Sequence, residues 1–494
     1  MDQTKAPYFQ ALLEYVDSGV IPFHTPGHKQ GIGMDPAFRQ FVGDNICAID
    51  LTPMPGIDDL LQPTESLLEA QQLAAEAYGA DRTYFLINGS TSGNQCMMMA
   101  ALNPGEKIAV PRNSHKSMLG GLVMSGAQPV YMQPEVDEAL HMDHTVTPQT
   151  VVRTLEEHPD VKAVYVVTPT YYGVAADLES IAKITHDAGK LLLVDEAWGP
   201  HFQFHPALPL SATQCGADLC INSTHKMLSA FSQCAMLHQI GPRVRVDRLE
   251  AVLKMFLSTS PNLPMVASLD VARRQMATDG AALLSQTIAL AENTRRRINA
   301  IENVYCFGEE LQGRPGVFDL DPTKVTITVK DLGYTGYEAS AILRRRYNVQ
   351  VELADLFNVV ALFTIGTSEE AAERLIEGVS ELAREDRAID LFSPSGVLKR
   401  RMKTGTYKLP KIPAIRMLPR DAFLADTEFV KFKDSKGRIC AETISPYPPG
   451  IPVIAPGEEI TEQVIDYLNL ELKAGVRMQG PFDKELKTIR VVKQ

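Results

Sequence analysis

The chain has 494 residues, 45% of them hydrophobic and 22% charged, and a formal net charge of -12. Such a chain is long enough for more than one hydrophobic core, so two or three domains are expected. The acidic balance argues against nucleic acid or an anionic membrane as partner, since both require a basic face, and it is compatible with a cationic small molecule.

Residues 1 to about 60 are rich in Pro and Gly and poorly periodic. Phe23-His24-Thr25-Pro26-Gly27-His28-Lys29 reads as a loop. So long an irregular stretch suggests function or contact with another subunit. From about 64 to 300, helices alternate with short apolar strands. Helices are expected at Glu65–Tyr78 and Gly93–Ala101. Strands are expected at Tyr84–Ile87, Lys107–Val110, Gln128–Met132, Ala163–Val167, Leu191–Val194 and Leu219–Asn222. Continuous apolar runs separated by helices imply a parallel sheet. Leu178, Ile181, Ala182 and Ile184 lie at helical spacing, with Gly189 as a stop. Residues 251 to 302 read as one or two long helices. A smaller α/β region follows, with strands at Lys324–Val329 and Val359–Phe363 and helices at Tyr337–Tyr347 and Glu369–Ala383. The basic, Pro-punctuated segment 391–420 reads as a connection. Tyr447-Pro448-Pro449-Gly450-Ile451-Pro452 is too rich in Pro for a helix or central strand.

The seven cysteines (47, 96, 215, 220, 234, 306 and 440) form no C-x-x-C pair, so neither a zinc ribbon nor a disulfide framework is suggested. Met1 to Lys5 lacks a signal-peptide pattern, and no apolar run approaches the roughly 20 residues needed to cross a bilayer. A reduced, soluble, cytoplasmic protein is expected.

Val194-Asp195-Glu196-Ala197-Trp198 ends a buried strand, where open α/β sheets bind ligands. The strand at 219–222 runs into Ser223-Thr224-His225-Lys226. Asp195 and Lys226 thus stand 31 residues apart at matching strand ends. A lysine that can form a Schiff base and a carboxylate that keeps a pyridine nitrogen protonated are what pyridoxal 5'-phosphate (PLP) needs to act as an electron sink. Taken singly, the same two residues fit a turn cap and a solvated surface lysine. Asn88-Gly89-Ser90-Thr91-Ser92-Gly93 adds a strand, a Gly/Ser/Thr turn and a helix start, whose free N–H groups suit a phosphate. Helix capping accounts for that turn equally well when it is considered alone.

Across nearly the whole chain the sequence resembles the Orn/Lys/Arg decarboxylases of PLP fold type I. The resemblance rests on His24–Lys29, Asp58-Asp59-Leu60, Asn88–Ser92, Arg112-Asn113-Ser114-His115-Lys116-Ser117, Pro169-Thr170-Tyr171-Tyr172-Gly173, Asp195-Glu196-Ala197, Ser223–Lys226 and Tyr447–Gly450. It is closest to the short bacterial arginine decarboxylases, which lack the N-terminal wing domain of longer members. It implies an α/β, aspartate-aminotransferase-like large domain with a mostly parallel sheet and a smaller C-terminal α+β domain. The expected division is an interface segment 1–60, a PLP-binding domain 61–310, a small domain 311–390 and a C-terminal domain 391–494 at the site entrance. The resemblance also implies that Lys226 bonds the cofactor, Asp195 pairs with its ring nitrogen and His115 stacks on its ring. Ser90, Thr91, Ser92, Ser223 and His225 are then phosphate contacts. Ala197 and Trp198 are further cofactor neighbours, and Ser258-Thr259-Ser260 reaches a phosphate in the adjoining subunit of a homodimer or larger homo-oligomer.

The activity implied is α-decarboxylation of a basic amino acid: arginine to agmatine first, then lysine to cadaverine or ornithine to putrescine. An aminotransferase of the same fold and an inactive regulatory relative are the alternatives. Many short members have histidine where this chain has Trp198, so substrate preference can differ. Acidic candidates for the substrate's cationic end are Glu442, then Asp58 and Asp59. His201 and His205, like His24 and His28, have i,i+4 spacing, but Pro and Gly beside them disfavour a helix, and no metal is expected.

Overall fold

Apolar runs between 82 and 239 become strands buried along most of their length. In the computed structural model, which describes residues 1–385, 396, 410–447, 450–473 and 475–494, these strands divide between two units. The first unit comprises 1–101 and 191–285, the second 102–190 and 286–494.

In the first unit the strand order is Arg82–Leu86, Ala235–Gln239, Leu219–Asn222, Leu191–Asp195. The last two run parallel, with Asp195 level with Ile221. Ala235–Gln239 runs antiparallel to both of its neighbours. That strand was not expected from the sequence. Ala-Met-Leu-His-Gln contains no β-branched residue, and burial on both faces, not propensity, makes it a strand.

Helix Ser66–Tyr78 buries Leu67, Ala70, Leu73, Ala74 and Tyr78 and stops at Gly79, whose φ is +66°. It shares a core with Phe85, Met236, Leu263 and Val266. Tyr8 and Leu12 join that core from helix Pro7–Asp17, which corrects the irregular reading of the N-terminus, as do the short helices Pro36–Val42 and Asp44–Ala48. The Asp270 carboxylate accepts from the N–H groups of Tyr8 (3.0 Å) and Phe9 (3.4 Å). It also pairs with Arg273 at 2.6 Å, both side chains being fully buried. Arg273 in turn donates to the carbonyls of Gln3 and Lys5. The two helices expected over 251–302 are Val246–Phe256 and Leu263–Asn299.

In the second unit Lys107–Pro111 lies parallel between Gln128–Met132 and Val161–Val167. Further along, Lys324–Thr328 pairs antiparallel with Asn358–Leu362. Helices Gly336–Tyr347 and Glu369–Arg384 pack on that sheet through Ala339, Leu343, Leu375 and Val379. The C-terminal portion pairs Thr427–Lys431 with Thr488–Val492 and packs helix Glu462–Lys473 through Val464 and Leu468.

Of the connection expected over 391–420, only 396 and 410–420 are among the described residues, and Pro448 and Pro449 lie outside them. Among the described residues, no helix is long and apolar enough to cross a membrane.

Candidate active site

The helix expected to begin at Gly93 begins at Gly89, where φ is +69°. Ser90, Thr91 and Ser92 therefore occupy its first turn instead of a preceding loop. The first N–H groups of a helix lack intrahelical acceptors and attract a phosphate. Ser92 Oγ is already used locally, donating to the Gly89 carbonyl at 3.0 Å. Ser90 is half-buried and Thr91 exposed. Ser223 Oγ donates to Ser90 Oγ at 2.6 Å, so two expected phosphate contacts from distant parts of the chain meet.

Gly93 sets how close this helix lies to strand 219–222. A Cβ there would stand 2.3 Å from Ile221 Cδ1 and 2.6 Å from its Cγ1. Ile221 is fully buried, so its side chain would have to repack against its neighbours. Gly93→Ala is expected to cost about 1–3 kcal/mol, the range for overpacking, read as a lower urea midpoint at unchanged m-value.

Asp195 is 4% exposed at the end of its strand. Its Oδ2 accepts from Asn94 Nδ2 at 2.8 Å and its Oδ1 from the Ala197 N–H at 3.1 Å. Asn94 carried no assigned role from the sequence. Its signal was an amide on a helix whose neighbours Cys96, Met97 and Met98 are all buried. Lys226 lies in the helical turn Thr224–Met227, with Nζ 4.1 Å from the centroid of the Trp198 ring. His225 Nδ1 lies 2.9 Å from the Cys234 carbonyl, which as an acceptor requires the proton on that nitrogen. Desolvation by burial lowers the His225 pKa.

The first unit thus offers a buried carboxylate at a strand end, a lysine beyond the next parallel strand, and two hydroxyls at a helix N-terminus. This donor set fits a phosphorylated pyridine aldehyde.

In the same unit His238 is fully buried, and desolvation pushes its pKa down from 6.5 to about 3. It is neutral in the folded protein, whereas the unfolded chain takes up a proton below about 6.5. Its contribution to stability is therefore complete above that pH and is lost as pH falls towards about 3. The full slope from one such group is about 1.4 kcal/mol per pH unit. His238→Gln is expected to remove nearly one proton from the slope of unfolding free energy between pH 6 and 4, measured by urea titration against the parent.

The other expected residues have these surroundings. In the first unit, the Asp58 carboxylate accepts from the N–H groups of Thr64, Glu65 and Leu67 at 2.8–3.1 Å, anchoring the start of helix Ser66–Tyr78. Asp59 accepts from the Leu61 N–H. Ser258, Thr259 and Ser260 are exposed beyond helix Val246–Phe256. His24 bonds Tyr15 and its neighbour Thr25, and His28 bonds Asp50 and the Gly31 N–H. His205 bonds Ser285, and buried His201 packs against Phe202.

In the second unit His115 caps helix Lys116–Ser125, its Nδ1 accepting from the Ser117 N–H at 3.2 Å. Arg112, three residues before it, donates both Nη groups to Glu458 at 2.6 and 2.9 Å and a further bond to the Val453 carbonyl. The buried Glu442 carboxylate accepts from the N–H groups of Phe482 and Arg490, both at 2.9 Å. Only its remaining lone pairs are left for a substrate cation.

Residues 6–371 match the family model described as Orn/Lys/Arg decarboxylase, major domain, and residues 401–494 match the model of its C-terminal domain. The chain is 44% identical to an arginine decarboxylase of Bacillus subtilis, over 100% of this chain and 99% of that one. It is 30% identical to the lysine decarboxylase LdcA of Pseudomonas aeruginosa, over 94% of this chain and 75% of that one. Among solved structures, the lysine decarboxylase LdcF of Francisella novicida superposes with a TM-score of 0.86 at 25% identity, over 99% of this chain and 81% of that chain. An alanine–glyoxylate aminotransferase from Nostoc shares the fold, with a TM-score of 0.53 at 18% identity. With two family models matched in order and likeness to relatives along its full length, the chain belongs to the Orn/Lys/Arg decarboxylase family.

Proposed function

We propose that the protein is a PLP-dependent α-decarboxylase whose substrate is L-arginine and whose products are agmatine and CO2. The observation that carries the cofactor reading is the parallel pair of strand ends bearing Asp195 and the Ser223–Lys226 turn, with Ser223 bonded to Ser90. Arginine is favoured by 44% identity to curated arginine decarboxylases, against 30% or less for the lysine enzymes. Lysine is the second reading, since Trp198 departs from the histidine of many short members and substrate preference can differ there.

When bound, PLP supplies a sink for the electron pair left at Cα as CO2 departs. Lys226 would hold the cofactor, its amine being the group able to bond the aldehyde. Asp195, fixed by Asn94 and the Ala197 N–H, holds a proton on the ring nitrogen. Ser90, Thr91 and Ser223, with the N–H groups at the start of helix Gly89–Ala101, would hold the phosphate, whereas the Ser92 hydroxyl is spent on the Gly89 carbonyl and the His225 Nδ1 proton on the Cys234 carbonyl. The Ala197–Trp198 turn would border the ring. Glu442 or Asp58 meets the cationic end of the substrate.

A second copy of the chain is the partner, with Ser258 and Thr259 reaching into its site. Support comes from the exposed apolar side chains clustered between 20 and 41, among them Phe23 (93% exposed) and Phe41 (89% exposed).

The test is competition among arginine, lysine and ornithine at equal concentration, with the amines identified by mass. Agmatine is expected to dominate. Cadaverine as the main product would transfer the assignment to lysine, and a keto acid without CO2 would overturn decarboxylation.

A further inference from the structure

One chain of side-chain hydrogen bonds crosses three strands of the first unit and ends in the turn that follows the fourth. It begins at Thr83, whose hydroxyl donates to His238 Nδ1 at 2.8 Å; the two are direct partners in the strand register. His238 Nε2 lies 2.9 Å from Asn222 Oδ1. Asn222 Nδ2 donates to Glu196 twice, to Oε2 at 2.9 Å and to the backbone carbonyl at 3.0 Å. The far Glu196 oxygen accepts from the Ala212 N–H at 2.7 Å, and Cys220 Sγ lies 3.6 Å from Oε2. With the proton on His238 Nε2, the donors of Thr83, His238 and Asn222 each meet an acceptor. All four side chains are at most 3% exposed.

Buried polar groups cost free energy unless satisfied, and apolar residues would fill the same space at lower risk. The ends of the chain indicate what this network does. Glu196 directly follows Asp195. Asn222 directly precedes Ser223 and the turn that carries Lys226. The Glu196 N–H also donates to the Ile221 carbonyl at 3.0 Å, so the two strand ends are laced by backbone and side chain together. Gly199 completes the arrangement: its N–H closes the turn onto the Glu196 carbonyl at 2.9 Å, and a Cβ there would stand 2.8 Å from Glu196 Cγ.

We propose that Asn222, held in orientation by His238 and Thr83, is a positioning residue that fixes the spacing between the Asp195–Trp198 turn and the Ser223–Lys226 turn. This rests on the PLP reading of the site. The role is indirect, since Asn222 acts through the two turns it clamps.

Trp198, the only tryptophan in the chain, lies in the clamped turn, so its emission reports the geometry without cofactor or substrate. Two variants are compared with the parent. Asn222→Asp keeps the shape but turns the donor facing Glu196 into an acceptor. Thr83→Val removes only the outermost bond, three strands from Glu196.

Asn222→Asp is expected to shift Trp198 emission and raise its acrylamide quenching in cofactor-free protein. It should also weaken PLP binding at least tenfold, and lower kcat with KM changed less than threefold. Thr83→Val should move emission and PLP affinity in the same direction, two- to threefold in affinity. A residue with a merely structural role would lower the melting temperature and leave emission, PLP affinity and the kcat-to-KM split unmoved; that pattern in both variants overturns the proposal. Should Asn222→Asp fail to fold, unchanged emission and affinity in Thr83→Val overturn it. A parent protein that binds no PLP would refute the cofactor reading instead, and the emission comparison would still decide whether Asn222 positions the turn.

Discussion

Lys226→Ala is expected to abolish CO2 release from arginine, with kcat falling by more than about a thousandfold, since on the proposed reading the variant would have no lysine to bond the cofactor. The variant still folds. Lys226 is half-buried in a turn, and the contact it loses with the buried Trp198 ring is worth about 0.5–2 kcal/mol. Two measurements check this. Borohydride treatment followed by mass analysis should tag the parent at Lys226 and leave the variant unlabelled, while the urea midpoints of the two cofactor-free proteins should differ by no more than that one contact accounts for. A reducible adduct retained in the variant would assign the covalent bond to a different lysine.

Arg112→Met carries the largest expected effect on stability. Arg112 and Glu458 form a two-pronged ion pair with side chains 12% and 1% exposed. Its second prong also reaches the Val453 carbonyl, and its guanidinium lies 4.8 Å from the centre of the Tyr131 ring. Removing the arginine strands a carboxylate whose pKa burial already raises. Breaking such a pair from one side costs about 3–5 kcal/mol. The penalty lies in the orphaned charge, so adding Glu458→Gln to Arg112→Met should recover part of the loss, although Glu458 also accepts from the Ala455 N–H at 2.9 Å. Chemical denaturation of the parent, both single variants and the double variant gives the coupling directly. A double variant less stable than either single would show that the pair acts through shape and not charge. Arg112 stands three residues before His115, so the same variant is expected to disturb the ring that His115 presents.

The strands at 107–111, 128–132, 191–195 and 219–222 were legible because burial on both faces leaves unbroken apolar runs. Asp195 and Lys226 stood out as candidates because each closes or follows such a run. What the sequence hid was non-local. Helix Pro7–Asp17 has Tyr8 and Leu12 at helical spacing, but its first N–H groups are satisfied by Asp270, more than 260 residues away. The strand Ala235–Gln239 is specified by its neighbours. The partner of Arg112 lies 346 residues downstream. The Thr83–His238–Asn222–Glu196 chain exists only once strand order and register are known. Glu442 was chosen for its acidity near a Pro-rich loop, and no local pattern announces that it bonds the backbone of Phe482 and Arg490.

The strand Arg82–Leu86 has a consequence for how the protein is made. Its partner in the first unit, Ala235–Gln239, is translated about 150 residues later. At roughly 5–20 residues per second, the ribosome takes about 7–30 s to supply it. For that interval Tyr84, Phe85 and Leu86 sit on an emerged chain with an unpaired edge, the condition that invites pairing with another nascent copy. The segment is short and opens with Arg82 beside Asp81, charges that oppose such pairing. Slowing translation between codons 102 and 234 should therefore lower the soluble yield more than the same delay placed after codon 285, when the first unit is complete.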